Sequence, residues 1–325
     1  MKVFTGCSNY ASDTCPCILA ETGHCLVCSL CRGEDFCSCS DTVSYCVFQE
    51  LNNNGGKAKD QHHIIRCEVI YEKLHDDMFK HLRLRVPEES LMEMGVDGSF
   101  VFVRVKENTY YDVPISVFAT DMENNTIDLI IKITGVKTRC FKESKTGDTI
   151  FLRGPYHNGM LGIKNLYQIK NSDVLVVCKG IGLVPSLSIM DKLRENNNNV
   201  TVLLDRGDFS KEISDGFAKD YGITVREITI CNDDGSFSTE IKDVLRAEIN
   251  NGTGLVHFGL SDYLLKKAIT YVTELHQDVQ ISCINNAHMC CGEGICGACT
   301  NSIGPDKIIH LCKEQIDPKE YVKMI

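Results

Sequence analysis

The densest chemistry in the chain lies in Cys291-Gly292-Glu293-Gly294-Ile295-Cys296-Gly297-Ala298-Cys299, completed by Cys312. Cysteines at C-x4-C-x2-C with one distant partner have the plant-type spacing for a [2Fe–2S] cluster, two sulfurs to each iron. Gly292, Gly294 and Gly297 suit the tight wrap of such a loop, because a residue without Cβ accepts positive φ and lets backbone N–H groups approach sulfur. Zinc is the alternative, although structural zinc sites usually pair two short knuckles far apart in sequence. Cys290, beside Cys291, is a substitute ligand within reach. The chemistry expected here is one-electron transfer.

A second concentration lies in the first sixty residues, at Cys7, Cys15, Cys17, Cys25, Cys28, Cys31, Cys37, Cys39 and Cys46. Cys25-x2-Cys28-x2-Cys31 begins the spacing used for [4Fe–4S] clusters, with Cys37 or Cys39 as the fourth ligand. Cys7, Cys15, Cys17 and Cys46 remain for a second site. Zinc is the stronger rival here, since Cys-x-Cys and Cys-x2-Cys pairs both occur in zinc modules. His24 reads as a bystander. Apolar periodicity is weak over this stretch, so metal rather than a core is expected to hold it.

The chain has 325 residues, 43% hydrophobic and 24% charged, which is ordinary for a globular protein with room for two or three domains. Its net charge of −10 contains no basic block, which argues against nucleic acid or an anionic membrane as partner. Met1 to Thr14 lacks the apolar core of a signal peptide, and no run has membrane-spanning length. Nineteen cysteines then point to a reducing cytoplasm and metal ligation rather than disulfides, and oxygen-sensitive clusters to an anaerobic host.

Four segments must position these groups. Residues 1–61 form the cysteine-rich module, ending in a turn or linker over Leu51 to Gln61. In residues 62–168, short β-branched or alternating runs (Ile64–Tyr71, Phe79–Val86, Phe100–Val105, Ile127–Thr134, Thr149–Arg153) predict an antiparallel barrel. In residues 169–284, apolar runs at Asp173–Cys178, Val200–Leu204, Ile223–Thr229, Gly254–Phe258 and Val279–Cys283 alternate with helical patterns. Those patterns cover Pro185–Arg194, Phe209–Asp220, Thr239–Ile249 and Asp262–Leu275, with Ser238 and Ser261 as caps. The alternation predicts a doubly wound parallel α/β domain. Residues 285–325 form the cluster loop and tail.

Three motifs lie between. Pro114-Ile115-Ser116 ends a barrel strand in a hydroxyl that can face a flavin. Gly180-Ile181-Gly182 follows a strand and precedes Pro185, where glycines allow backbone to approach a pyrophosphate, although sheet packing would favour them equally. Asp233-Asp234-Gly235-Ser236 alone is a surface turn. In order, these pieces and the cysteine loop resemble the electron-transfer subunit of B-type dihydroorotate dehydrogenase, in the ferredoxin–NADP reductase superfamily. The resemblance covers about residues 62 to 325 and is most specific from Met289 to Cys299.

The resemblance implies FAD on the barrel, NAD(P)H against the α/β half, and a [2Fe–2S] cluster on Cys291, Cys296, Cys299 and Cys312 serving a partner subunit. It points to Pro114, Ile115, Ser116, Gly135, Thr138, Gly180, Gly182, Pro185 and Asp233 as flavin or nucleotide contacts. The sequence departs from that pattern at Val113, where the family has arginine; Lys137 and Arg139 offer charge nearby. Lys179 breaks a glycine triplet, Val184 replaces a smaller residue, and Phe258-Gly259-Leu260 replaces Cys-Gly-Pro. Phe258 is therefore expected to crowd the open flavin face, and Asp205, with Arg206, to stand where ribose is contacted. The expected function is electron transfer from NAD(P)H or a reduced carrier through FAD and the cluster to a partner. The alternative is a non-catalytic iron–sulfur scaffold, and a zinc-bearing regulator is the third.

Overall fold

The computed structural model describes residues 6–39, 45–303 and 307–325. Strands β1 (Ile64–His75), β2 (Phe79–Arg85), β3 (Phe100–Arg104), β4 (Val113–Ser116), β5 (Ala119–Asp121), β6 (Thr126–Lys132) and β7 (Thr149–Tyr156) form one antiparallel sheet in the order β4-β3-β7-β1-β2-β6-β5. The alternation is visible in β2, where Leu82 and Leu84 are buried and Arg83 and Arg85 are not. The buried face closes on itself through Val101, Val103, Ile127, Leu129, Ile150 and Leu152, giving the expected barrel-like half. β4 is an edge, so one side of its backbone pairs with no strand.

The second half has β8 (Met160–Leu161), β9 (Asp173–Lys179), β10 (Asn199–Asp205), β11 (Val225–Glu227), β12 (Leu255–Gly259) and β13 (Gln280–Ile284), in the order β11-β10-β9-β12-β13-β8. All are parallel except β8, which runs against β13. β9 is a continuous apolar run because helices cover both faces: Leu175 and Val177 enter one core, Val174 and Val176 the other. Helix Thr239–Asn250 buries Ile241, Leu245 and Ile249 along one stripe, each worth about 1.5–3 kcal/mol of apolar burial. Ser238 caps it by accepting from the Ile241 amide at 3.2 Å, as its position predicts. Ser261 occupies the N-cap of helix Asp262–Leu275 without a side-chain cap bond.

Differences from the sequence reading are local. The stretch Pro185–Arg194 is broken into short helical pieces, with Leu183–Ser186 and Met190–Glu195 the α-helical parts. Helix Val47–Asn53 takes in the start of the expected linker because Val47 and Leu51 are buried, so the turn begins only at Asn54. β8, just after the barrel, pairs with the α/β sheet and ties the two halves together. A hairpin of β14 (Thr300–Ile303) and β15 (Lys307–His310) follows the cysteine loop. Among the described residues, no helix is long and apolar enough to cross a membrane.

The N-terminal module has a hydrophobic core of Cys15, Ala20, Cys25, Cys28, Cys31, Val47 and Leu51, four of the seven being thiols. It docks on the C-terminal segment. The Ser8 amide donates to the Lys313 carbonyl at 2.7 Å, the Gln315 amide to the Gly6 carbonyl at 2.9 Å, and Cys7 bridges to Glu314.

Candidate functional site

Strand order in the α/β half reverses between β9 and β12: the chain leaves β9 toward β10 on one side and β12 toward β13 on the other. In open α/β sheets such a switch point, at the carboxyl ends of the strands, is where ligands bind. A cleft of about 490 Å³ lies at this place, within the size range of small-molecule sites. One wall is barrel, from Phe100, the β4 edge at Pro114, Ile115 and Ser116, and Lys132; the other is α/β, from Lys179, Gly182, Pro185, Gly259 and Leu260. Asn286 and Met289 close it on the side of the cysteine loop.

Gly182 and Gly259 are fixed by each other. A Cβ on Gly182 would stand 2.1 Å from the Gly259 carbonyl oxygen, and one on Gly259 2.4 Å from that of Gly182. The close approach of the two turns demands both glycines before any ligand is considered.

Met289 joins the cleft to the cysteine loop. It lines the cleft, packs against Phe100, Phe102 and Tyr156, and is followed directly by Cys290 and Cys291. In the loop the thiols touch in pairs: Cys291 with Cys296, Cys299 with Cys312, and Cys291 with Cys312 across the set. The contact with Cys312, together with the amides of Cys296, Glu293 and Ile295, holds the Cys291 thiol down at about 4. Cys299 is lowered to about 7 by the same partner, and Cys312 is correspondingly raised. The Glu293 amide reaches the Cys291 sulfur at 3.3 Å and the Cys312 amide the Cys299 sulfur at 3.4 Å. Amide hydrogens aimed at sulfur stabilise thiolate, the form that binds metal.

A buried polar network fixes this loop on the barrel. Arg153 donates to the Cys291 carbonyl at 2.7 Å, to Asp112 at 3.0 Å and to the Tyr156 hydroxyl. Tyr156 and His62 both meet Glu293 Oε1, at 3.0 and 2.8 Å, and Lys313 Nζ meets Oε2 at 2.9 Å. Burial alone would raise the Glu293 carboxyl, but the His62 hydrogen bond and the Lys313 charge hold it at about 2. Gly292, at φ +75°, lies so close to Tyr156 that a Cβ would stand 2.4 Å from its ring. Glu293 and Lys313 could have been suspected from lying beside Cys291 and Cys312, cysteines of the C-x4-C-x2-C pattern and its distant partner. Arg153, Tyr156 and His62 carry no local signal, because only tertiary packing brings β7 and the segment before β1 to the loop.

Of the residues singled out from sequence, Pro114, Ile115, Ser116, Gly182 and Pro185 line the cleft; Gly180, at φ +57°, does not line it, although its neighbours Lys179 and Ile181 do. Gly135 and Thr138 lie in an exposed turn outside its wall, where Thr138 Oγ1 accepts from the amides of Thr134 and Gly135 at 3.0 and 3.2 Å. Asp233 lies in the exposed turn from Asn232 to Ser236, also outside the cleft wall. Phe258 does not crowd the cleft: β12 alternation turns it into the fully buried core under the sheet, and Gly259 and Leu260 form the wall instead. Asp205 is engaged within the protein, by Lys179 Nζ at 2.5 Å and the Ile230 amide at 3.0 Å. Val113 packs toward the barrel core, while neighbouring Asp112 pairs with Arg104 at 2.5 Å and with Arg153.

In the N-terminal module, Cys25, Cys28 and Cys31 are buried and Cys37 is exposed, in contact with Cys39. Cys28 touches Cys31, whereas Cys25 shares a small cavity with Cys7, Cys15 and Cys17. Among the described residues, no three His, Cys, Asp or Glu side chains gather as ligands of a single metal ion.

No family model matches the chain. It is 26% identical over 256 residues to the dihydroorotate dehydrogenase B (NAD(+)) electron transfer subunit of Streptococcus pneumoniae, spanning 77% of this chain and 96% of the relative. The subunit of that name from Desulforamulus reducens is 24% identical over 218 residues, spanning 66% of this chain and 79% of the relative. Among solved structures, an NADH-dependent reduced ferredoxin–NADP oxidoreductase superposes with a TM-score of 0.62 at 22% identity, covering 78% of this chain and 88% of that one. The cytochrome b5 reductase-containing region of human Ncb5or gives 0.52 at 14% identity, covering 70% of each chain. The resemblance read from the motifs therefore holds in sequence, and the barrel-plus-α/β fold holds in structure.

Proposed function

We propose that this chain is an electron-transfer subunit that passes electrons from NAD(P)H or a reduced carrier, by way of FAD and a [2Fe–2S] cluster, to a partner protein. The observation that carries this reading is the continuity of cleft and cysteine loop, since Met289 belongs to both and precedes Cys291 by two residues. When bound, the flavin converts two-electron hydride chemistry into single-electron steps that the cluster carries onward.

The residues present suit both groups. The β4 edge brings backbone and the Ser116 hydroxyl to the cleft, and Lys132 and Lys179 stand on opposite walls, each paired with a carboxylate, Asp208 and Asp205. Gly135, Thr138, Gly180 and Asp233 enter this proposal as contacts for the parts of FAD and NAD(P)H that extend beyond the cleft. Cys291 with Cys296, and Cys299 with Cys312, divide the thiols two and two, as a binuclear cluster requires. Arg153 and Lys313 place positive charge beside the loop that would carry the anionic cluster. The relatives' names support a partner subunit, and the division at residues 61, 168 and 284 and the cytoplasmic, oxygen-poor setting belong to the same proposal.

A second reading, a scaffold that keeps the cluster but has lost nucleotide oxidation, is favoured by one observation. Lys179 already occupies Asp205, the acid expected at the ribose. Visible spectra of anaerobically purified protein, before and after NADH and then dithionite, separate the two. A flavin band bleached by NADH establishes the first reading; cluster absorbance that changes only with dithionite, without flavin, establishes the second.

A further inference from the structure

Cys7, Cys15, Cys17 and Cys25 line one small cavity in the N-terminal module, walled otherwise by Asn9, Tyr10 and apolar side chains including Leu19, Ala20 and Val47. The sequence pattern divides these cysteines between two sites; the fold gathers them into one. Each thiol lies within electrostatic range of at least one other of the four. They do not touch in pairs as the thiols of the C-terminal loop do.

Backbone donors are aimed at the sulfurs: the amide of Asn9 faces Cys7, that of Ala11 faces Cys15, and those of Val27 and Cys28 face Cys25. Ala11 holds a φ of +58°, a left-handed conformation that costs a non-glycine residue energy and is found where a site requires it. The Lys313 side chain, fully buried, lies within electrostatic range of Cys7 and Cys17.

We propose that Cys7, Cys15, Cys17 and Cys25 hold a second iron–sulfur cluster of the [4Fe–4S] class, one thiolate per iron. Zinc would draw four sulfurs around one ion, each about 2.3 Å from it, whereas a cubane spreads its thiolates over its corners. The site is placed to exchange electrons with the C-terminal one, because Cys7 bridges Glu314, two residues beyond Cys312, and Leu19 packs against Gly294 of the loop. Such an exchange removes one electron from one cluster and adds it to the other, with no bond made or broken and no proton moved. This relay rests on the proposed C-terminal cluster; the ligand assignment does not.

The test is anaerobic iron and sulfide analysis with EPR of reduced full-length protein, for wild type, Cys17→Ser, Cys37→Ser and Cys299→Ala. Cys17→Ser is expected to lose about four irons and four sulfides per chain and to keep the [2Fe–2S] signal. Cys37→Ser, changed at an exposed position, is expected to keep both. Cys299→Ala reports on the C-terminal cluster alone, so failure of that reading is seen separately. Alkylation mapped by mass spectrometry on wild type guards against misfolded variants: half-exposed Cys7 and Cys17 should resist labelling until iron is extracted. Zinc in the module, loss of iron in Cys37→Ser but not Cys17→Ser, or labelling of Cys17 as fast as Cys37 in iron-loaded protein overturns the assignment.

Discussion

In the C-terminal loop the thiols touch in pairs, whereas in the N-terminal module Cys7, Cys15, Cys17 and Cys25 stand apart around an apolar cavity. The loop is braced from outside. Arg153, Tyr156, His62 and Lys313 hold Glu293 and the Cys291 carbonyl against a finished barrel. Among the described residues the module's small core consists largely of cysteines, and the module meets the rest of the chain through backbone bonds to the C-terminal segment. A metal site set on a folded support keeps its shape through the support, while one that is most of its own core depends on the metal.

The largest expected effect comes from breaking the loop. Cys299→Ala should abolish the [2Fe–2S] EPR signal and electron delivery to an acceptor protein while leaving NADH bleaching of flavin intact, since Cys299 lies outside the cleft wall. Retention of the signal would remove Cys299 from the ligand set.

Next comes the brace itself. Glu293→Gln leaves the buried Lys313 ammonium without its carboxylate, and a broken buried pair typically destabilises by about 3–5 kcal/mol. Equilibrium denaturation should show this loss and its partial recovery in Glu293→Gln/Lys313→Met. A double-variant loss equal to the sum of the Glu293→Gln and Lys313→Met losses would show that the pair is not coupled.

Glycines sharpen the contrast further. Gly292→Ala combines a φ of +75° with a Cβ 2.4 Å from Tyr156, and should lower stability by about 2–3 kcal/mol. Gly23→Ala in the module, at φ +80° with open space around it, should lose only about 1 kcal/mol. Melting curves of iron-loaded proteins decide whether the ranking holds.

The smallest effect belongs to neither cysteine region and serves as their reference. His257 is fully buried between Ser186 and Ser282, and burial lowers its pKa from 6.5 to about 3. The unfolded chain therefore takes up a proton that the folded one refuses. This stability is complete above pH 6.5 and is lost progressively toward pH 3, by about 1 kcal/mol at pH 5.5. His257→Gln should flatten that part of the pH profile; an unchanged slope would assign it to other groups.

Much of the architecture was legible in the chain. Barrel strands show as period-two alternation, and the α/β strands show as continuous apolar runs between helical stripes, because burial on one face or two writes itself directly into residue order. The C-terminal cysteines were legible for the same reason: three lie within one loop whose glycines dictate its path, so spacing nearly fixes their approach. Phe258 misled because homologous position says nothing of which side of a strand faces the ligand. Gly180 and Gly182 suggested an approach to pyrophosphate, with sheet packing as the alternative, and the contact of Gly182 with Gly259 supplies a packing reason for Gly182.

The sequence by itself determined the local conformations, the succession of barrel-type and α/β-type segments, and the loop that carries three of the four thiols, since each is written in residue pattern over a few positions. Tertiary structure alone decided which distant groups meet. It placed Arg153 and Tyr156 beside the loop, brought Cys25, which still lies beside Cys28, into a cavity with Cys7, Cys15 and Cys17, and set buried Lys313 between the two cysteine regions. Such groupings arise where separate segments pack against one another, and side-chain spacing along a chain holds no record of that packing.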